Sequence, residues 1–228
     1  MTHSFDDEYW DQIWTGERAP AMATSAPNPY LAEQVGALAP GTALDAGCGA
    51  GAEAIWLASR GWQVTGADIA AAALGRASER AEAGGLTGRV TWVQADLSTW
   101  EPDVTFDLVT THYAHPAMPQ LEFYDRIASW VAPGGTLLIV GHLHHDVAGA
   151  HGQEEGHGHG HGQDGGHGHG HGHHQPPVEA SATAAAITAR LDPADWVVVT
   201  AAQTHRTVPR HDSTLLDVVV RATRRPTV

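Results

Sequence analysis

The chain has 228 residues, 42% of them hydrophobic, which is enough to bury the core of one domain. Its formal net charge is −14 and it has only 12 lysine and arginine residues, so we expect a small-molecule partner and no nucleic acid. No apolar run reaches the roughly 20 residues that span a bilayer, and the acidic, aromatic start is unlike a signal peptide, so we expect no membrane partner and a cytoplasmic location.

Short apolar runs alternate with alanine-rich stretches from residue 42 to residue 142. The apolar runs predict strands at 42–47, 62–68, 89–96, 106–113 and 136–142. The intervening stretches predict helices at 51–61, 71–85 and 116–135, the last with Leu121, Tyr124, Ile127, Ala128 and Val131 at helical spacing. Strands joined by helices of this length form a parallel sheet.

Two further strands are predicted near the C-terminus, at 195–203 and 214–224. The polar segment between them is too short for a crossover helix, so they should be antiparallel neighbours. We therefore expect an α/β fold: a doubly wound, mostly parallel, seven-stranded sheet with helices on both faces and an antiparallel last strand.

The first predicted strand runs into a glycine-rich stretch, LDAGCGAGAEA, at residues 44–54. Gly47, Gly49 and Gly51 allow a tight turn and leave room for a ligand, while the following helix offers its N-terminal N–H groups. Such a loop is typical of nucleotide sites. It also satisfies the looser dinucleotide fingerprint, so a nicotinamide dehydrogenase is an alternative at this point. Cys48 within the loop is expected to be packed behind the glycines and to carry no chemistry.

Three aspartates mark the first three predicted strands: Asp45 near the end of the first, Asp68 at the end of the second and Asp96 at the end of the third. Ligands of open α/β sheets bind at the carboxyl ends of the strands, so these carboxylates should converge on one crevice. They suit a ligand that carries an amino group, a ribose and an adenine amine. A cap of the following turn is the alternative role for Asp96.

Taken together, these motifs resemble those of the class I S-adenosylmethionine-dependent methyltransferases. LDAGCGAG is similar to their glycine-rich first motif, VTGADI to their ribose-binding motif and QADL to their adenine-contacting motif. FDLVTTHYAHP and LLDVVVRATR resemble their fourth and last strands. The resemblance implies a Rossmann-like methyltransferase fold, methyl-transfer activity and S-adenosyl-L-methionine as the cofactor.

The resemblance also implies roles for individual residues. Asp68 would bind the ribose, Asp96 and the backbone of Leu97 the adenine, and the loop at 47–51 would lie against the methionine portion. The expected cofactor-binding residues are Asp45, Gly47, Cys48, Gly49, Gly51, Asp68, Ile69, Asp96 and Leu97.

Residues at the end of the fourth strand and just after it are the candidates for acceptor chemistry. His112 and His115 are the candidate catalytic residues, because an acceptor that must lose a proton needs a base, and Tyr113 between them is a candidate substrate residue. The sequence THYAHP differs from the Asn/Asp-Pro-Pro-aromatic motif associated with amino-group methylation, which argues against a DNA or protein N-methyltransferase. His115, which precedes Pro116, has helix initiation as its alternative role.

The N-terminal segment provides a second indication of the substrate. Trp10 and Trp14 are spaced i and i+4, so they share one face of a predicted helix. The stretch YWDQIWTGE resembles the N-terminal segment of the thiopurine, thiol and tellurite methyltransferases, which implies a lid over the cofactor, formed by residues 1–30. Packing of both indoles onto the domain is the alternative. We expect the acceptor to be a thiol, a metalloid oxyanion or a small hydroxyl or amine.

A glycine–histidine tract, EEGHGHGHGQDGGHGHGHGHH, occupies residues 154–174. We expect residues 146–177 to be a disordered insertion in one methyltransferase domain, formed by residues 31–145 and 178–225. Its imidazoles could bind nickel, zinc, copper or cobalt. A metal-binding or metal-buffering protein on a methyltransferase scaffold is thus the alternative function, and a neutral repeat expansion is the alternative origin of the tract. The candidate metal ligands are His142, His144, His145, His157, His159, His161, His167, His169 and His171.

Overall fold

The computed structural model describes residues 5–17, 19–143, 180–208 and 213–227. Its strands are β1 (Thr42–Ala46), β2 (Gln63–Asp68), β3 (Val90–Gln94), β4 (Phe106–His112), β5 (Val131–His142), β6 (Trp196–Val208) and β7 (Ser213–Arg224). Its helices are α1 (Asp7–Thr15), α2 (Ala19–Ala23), α3 (Pro29–Val35), α4 (Ala52–Ser59), α5 (Ala71–Ala83), α6 (Gln120–Ser129) and α7 (Ala184–Thr188).

The seven strands form one sheet in the order β3-β2-β1-β4-β5-β7-β6. The first five are parallel, whereas β7 is antiparallel to both β5 and β6. The chain order reverses next to β1, which is the place where open α/β sheets bind ligands. The predicted fold class is confirmed, including the antiparallel C-terminal pair.

The end of α6 differs from the prediction. The expected helix at 116–135 included Val131, but α6 ends at Ser129 and Val131 pairs with Phe106 as the first residue of β5. Val131 fits the apolar spacing of the predicted helix because its side chain would be buried in such a helix and is also buried in β5. The fully buried Phe123 of α6 was missing from the predicted apolar face.

Helices cover both faces of the sheet. Along β5, Leu137 and Ile139 pack into one core cluster, beside α6 and α7, while Leu138 and Val140 pack into the other, beside α3 and α4. This alternation follows from the two-residue period of a strand, and it explains why β5 reads as a continuous apolar run.

A third, smaller core cluster fixes the N-terminal helices above the carboxyl ends of the strands. It joins Trp14 of α1 and Ala23 of α2 to Ala50, Ala70 and Ala73, which lie in the loops after β1 and β2 and in α5. Asp6 caps α1 by accepting a hydrogen bond from the backbone N–H of Tyr9 at 3.0 Å. The helices of the described residues include none of the length and apolarity that a membrane span requires.

Candidate active site

A cavity of about 540 Å³ lies at the carboxyl ends of β1, β2 and β4, within the size range of small-molecule sites. Its walls are the loops that follow these strands, and the segment after β3 contributes Asp96 and Leu97. The N-terminal residues Phe5, Trp10 and Trp14 line it from the other side, and Arg206 of β6 also reaches it. The cavity therefore draws on both ends of the chain.

The loop between β1 and α4 needs its glycines for backbone conformation and for close packing. Gly47, Gly49 and Gly51 have φ angles of 81°, 50° and 73°, in the region that favours glycine. A Cβ at Gly47 would lie 2.2 Å from Cβ of Ala114, and one at Gly51 would lie 2.5 Å from the ring of Trp92. Gly47 and Gly49 line the cavity, whereas Gly51 packs against the core behind the loop.

Asp45 and Cys48 are buried. One carboxylate oxygen of Asp45 accepts a hydrogen bond from the backbone N–H of Ala54 at 3.1 Å, so it caps α4, whose own N-cap residue has no side chain. Asp45 does not line the cavity. Burial, with a smaller contribution from Glu53, raises the pKa of Asp45 well above its usual range. Cys48 does line the cavity, and burial raises the pKa of its thiol, so it stays protonated.

Asp68 connects the end of β2 to the glycine loop. Its Oδ2 accepts a hydrogen bond from the N–H of Gly49 at 2.8 Å and its Oδ1 one from Ala70 at 2.9 Å. Burial raises the pKa of Asp68 from its ordinary value. Asp96 accepts hydrogen bonds from the backbone and side chain of Ser98, so it caps the turn and lines the cavity as well. Ile69 and Leu97 lie beside these carboxylates on the same wall.

Burial weakens both candidate catalytic histidines as bases. Nε2 of His112 lies 2.8 Å from the hydroxyl of Thr110, and its buried Nδ1 has no partner among the described residues. Nδ1 of His115 lies 3.2 Å from Oε1 of Gln120. Burial lowers the pKa of His112 and lowers that of His115 to about 4. Both imidazoles are therefore neutral at neutral pH.

Tyr113 lies between them in a left-handed backbone conformation, with φ 58°. Its hydroxyl accepts hydrogen bonds from Nδ2 of Asn28 at 3.0 Å and from a terminal nitrogen of Arg206 at 3.1 Å. Burial raises the pKa of this phenol. Nε of Arg206 donates in turn to Oδ2 of the fully buried Asp217 at 2.9 Å.

The residues around Tyr113 were not predicted from the sequence, although two of them lie in sequence patterns that could have indicated them. Asp217 interrupts the apolar run TLLDVVV, and a charge inside a buried strand requires a partner. Asn28 precedes Pro29, a pattern typical of a helix start, and it is indeed the N-cap of α3. No comparable sequence pattern marks Arg206.

Helix α1 bridges the two sides of the cavity. The indole N–H of Trp10 donates a hydrogen bond to the carbonyl oxygen of His115 at 3.2 Å. Trp14 lies on the glycine loop, so that a Cβ at Gly49 would be 2.8 Å from its ring. Trp10 and Trp14 thus share one face of a helix and face the cavity together.

Comparison with known proteins identifies the family. Residues 43–135 match a family model described as a methyltransferase domain. These residues form a methyltransferase domain, and the relatives support the class I S-adenosylmethionine-dependent type. The chain is similar to a probable thiol methyltransferase 2 of Arabidopsis thaliana, with 29% identity over 137 residues, which are 58% of this chain and 60% of that protein.

Two further similarities support the family and the fold. A ribosomal RNA small subunit methyltransferase C of Alcanivorax borkumensis is 47% identical over 51 residues, which are 22% of this chain and 16% of that protein. The crystal structure of TehB from Haemophilus influenzae matches with a TM-score of 0.65 and 13% identity, over 94% of this chain and 66% of that one. The chain covers no more than 60% of the length of either of these two curated relatives.

Of the candidate metal ligands, His142 is the one that falls among the described residues. The described part of the chain contains no group of three or more histidine, cysteine or acidic side chains arranged to bind a metal ion. His142 stacks on Tyr113 at 4.0 Å between ring centroids, and its Nδ1 lies 3.8 Å from Oδ1 of Asp217. The other candidate ligands, from His144 to His171, and the predicted insertion at 146–177 fall outside the described residues.

Proposed function

We propose that this chain transfers a methyl group from S-adenosylmethionine to a small-molecule acceptor whose attacking atom needs no base from the protein, and that a thiolate fits this description best. The observation that carries the proposal is the state of the side chains beside the acceptor end of the cavity. Burial lowers the pKa values of His112 and His115, which makes both imidazoles weaker proton acceptors, and it raises the pKa of Tyr113, which keeps that phenol protonated.

The energetics of proton transfer support this choice. A free thiol has a pKa of about 8.5, so moving its proton to an imidazole with a pKa of about 4 would cost about 6 kcal/mol. A thiolate formed in solution avoids this cost. Alcohols, whose pKa values are higher still, would be worse acceptors in this site.

The residues present fit the cofactor. Asp68 would bind the ribose, Asp96 and the backbone of Leu97 the adenine, and the glycine loop the methionine portion. Where the methionine portion would lie, Gly47 and Gly49 have positive φ angles and present backbone without side chains to the cavity. S-adenosylmethionine, when bound, would supply a methyl group on positively charged sulfur. A lone pair of the acceptor would bond to the methyl carbon as the carbon–sulfur bond breaks, and the electron pair of that bond would stay on the donor sulfur.

The protein's own contribution is to hold the acceptor in line and to exclude water. Phe5, Trp10 and Trp14 form an apolar cover over the cavity, and positioning of this kind accounts for most of the acceleration when the leaving group is neutral. We propose that residues 1–30 act as the lid of the site. We also propose that 31–145 and 178–225 are a single domain interrupted by an insertion at 146–177.

One observation favours a thiol as the acceptor, and another favours a small molecule over a nucleic acid. One of the relatives is a probable thiol methyltransferase, and its similarity extends over more than half of this chain. The net charge of −14 is unfavourable for binding a phosphate backbone, so a nucleic acid is not proposed as the acceptor.

Calorimetry with S-adenosylhomocysteine, followed by turnover assays with small thiols, tests the proposal. We expect binding by the wild type and a loss of affinity of at least tenfold in Asp68→Ala, because the ribose would lose a charged hydrogen-bond partner. Asp103→Ala is the matched control, since Asp103 is exposed and does not line the cavity. Absence of binding by the wild-type chain would overturn the proposed function.

A further inference from the structure

The hydrogen bonds of the Tyr113 hydroxyl determine where its proton points. Oδ1 of Asn28 accepts a hydrogen bond from the backbone N–H of Tyr30 at 3.0 Å, so the amide nitrogen is the group that faces Tyr113. A guanidinium has only donors, so Arg206 also donates to the phenol oxygen. Both acceptor positions of the oxygen are thus occupied.

A phenol has one remaining hydrogen-bonding function, its O–H donor. No acceptor for this proton is found among the described residues, and Tyr113 lines the cavity. The proton is therefore available to a molecule in the cavity. The left-handed backbone of Tyr113, which costs about 1–2 kcal/mol for a residue with a side chain, is consistent with a position fixed for function.

Arg206 adds a second donor at the same place. Its Nε and one terminal nitrogen are used by Asp217 and Tyr113, whereas the other terminal nitrogen makes no hydrogen bond within the described residues. Asp217 is fully buried behind Arg206 and does not line the cavity, so it fixes the guanidinium without covering it. Three acidic side chains line the cavity: Asp68 ends β2, Asp96 follows β3, and Glu53 of α4 accepts a hydrogen bond from the backbone N–H of Asn28 at 2.9 Å.

We propose that the Tyr113 hydroxyl and the guanidinium of Arg206 together bind an anionic group of the methyl acceptor, so that the preferred acceptor is a small thiol that also carries a carboxylate. The proposal rests on the proposed function, since it names the substrate class of the same site. Donors of this kind select an anion over a neutral group, because a neutral ligand would leave them poorly paired.

Three thiols of nearly equal size test the charge preference: mercaptoacetate, 2-mercaptoethanol and 2-aminoethanethiol. We expect kcat/KM to be at least tenfold higher for mercaptoacetate than for 2-mercaptoethanol, and lowest for the cationic thiol. Tyr113→Phe should reduce this preference by about tenfold, and Arg206→Gln by more, because each removes a hydrogen bond to a charged group. Arg206→Lys, which keeps the charge and loses the planar fork, should give an intermediate result.

Binding of the methylated products gives a readout that does not depend on turnover. With S-adenosylhomocysteine present, (methylthio)acetate should bind more tightly than 2-(methylthio)ethanol, and Tyr113→Phe should weaken its binding while the affinity for S-adenosylhomocysteine stays within twofold. Tyr30→Phe removes a hydroxyl from α3, outside the cavity, and serves as the matched control. Thermal unfolding of each variant identifies any loss of folding.

The outcomes separate the two proposals. If the wild type does not bind S-adenosylhomocysteine, the proposed function itself is wrong. If it does bind, then equal affinity for the anionic and neutral products, or unchanged binding of (methylthio)acetate by Tyr113→Phe and Arg206→Lys, overturns the anion site alone.

Discussion

Replacing Gly49 with alanine tests whether α1 rests directly on the glycine loop. Two penalties are expected. The first is conformational, because φ at Gly49 is 50° and a left-handed backbone costs alanine about 1–2 kcal/mol. The second is steric, because the new Cβ would lie 2.8 Å from Cζ2 of Trp14, so the indole must move off the loop. Only the second penalty opens the cover of the cavity.

Gly85→Ala separates these penalties. Gly85 also has a positive φ, 67°, but a Cβ there would meet no atom within 4 Å. Both variants should unfold at a lower temperature than the wild type, by roughly 2–4 °C for each kcal/mol in a domain of this size. Affinity for S-adenosylhomocysteine, measured by calorimetry, should fall at least tenfold in Gly49→Ala and stay unchanged in Gly85→Ala.

A double-mutant cycle with Trp14→Ala completes the test. Because Trp14→Ala removes the ring that the new Cβ would meet, the two changes should not be additive, with a coupling free energy of about 1 kcal/mol or more. If the two changes add to within about 0.5 kcal/mol, or if Gly49→Ala binds the ligand as Gly85→Ala does, the packing of α1 on the loop does not hold the site together.

The remaining predictions concern buried titratable groups. Asp45→Asn keeps an acceptor for the Ala54 N–H and removes a buried charge. Because the pKa of Asp45 is raised, ionisation of its carboxylate weakens the fold as the pH rises above about 4. The variant should therefore have a higher Tm than the wild type at pH 7 and no advantage below about pH 4. Equal Tm values for the variant and the wild type at both pH values would contradict this. His115 has a lowered pKa, so its contribution to stability is fully present above about pH 6.5 and is lost as the pH falls towards 4; His115→Gln should flatten the decline of Tm in that window. The rate of thiol methylation should follow the ionisation of the thiol, and an inflection near pH 6.5 that disappears in His115→Gln would show that His115 is a base after all.

The sequence predicts the cavity wall at the ends of β1, β2 and β3 better than the wall around Tyr113 and Arg206, for a physical reason. Asp68 and Asp96 lie at the ends of strands that the apolar pattern predicts, and the rule that parallel strands end at one edge brings them together. Asp45 shows the limit of that rule. Its position before the glycines is predicted, but the free N–H groups at the start of α4 bind its carboxylate, so it does not line the cavity.

Around Tyr113, the contacts join segments that are distant in the chain. Tyr113 and Arg206 are 93 residues apart, and Asn28 is 85 residues from Tyr113. No periodicity or motif in one sequence specifies such pairs. In the sequence, the position of Asp217 within an apolar run indicates that a cationic partner exists, but it does not indicate which residue that partner is.

The origin of Arg206 in β6 divides the site between two parts of the chain. The residues proposed to hold the cofactor all precede β4, whereas the strand that carries Arg206 follows residues 144–179 and belongs to the C-terminal β6–β7 pair. Under the proposed anion site, we expect substitutions in that pair to alter the choice of acceptor while the loops proposed to bind the cofactor stay intact. If Arg206 binds the acceptor as proposed, an exchange of residues 195–224 between related enzymes should give chimeras with new acceptors and an unchanged methyl donor.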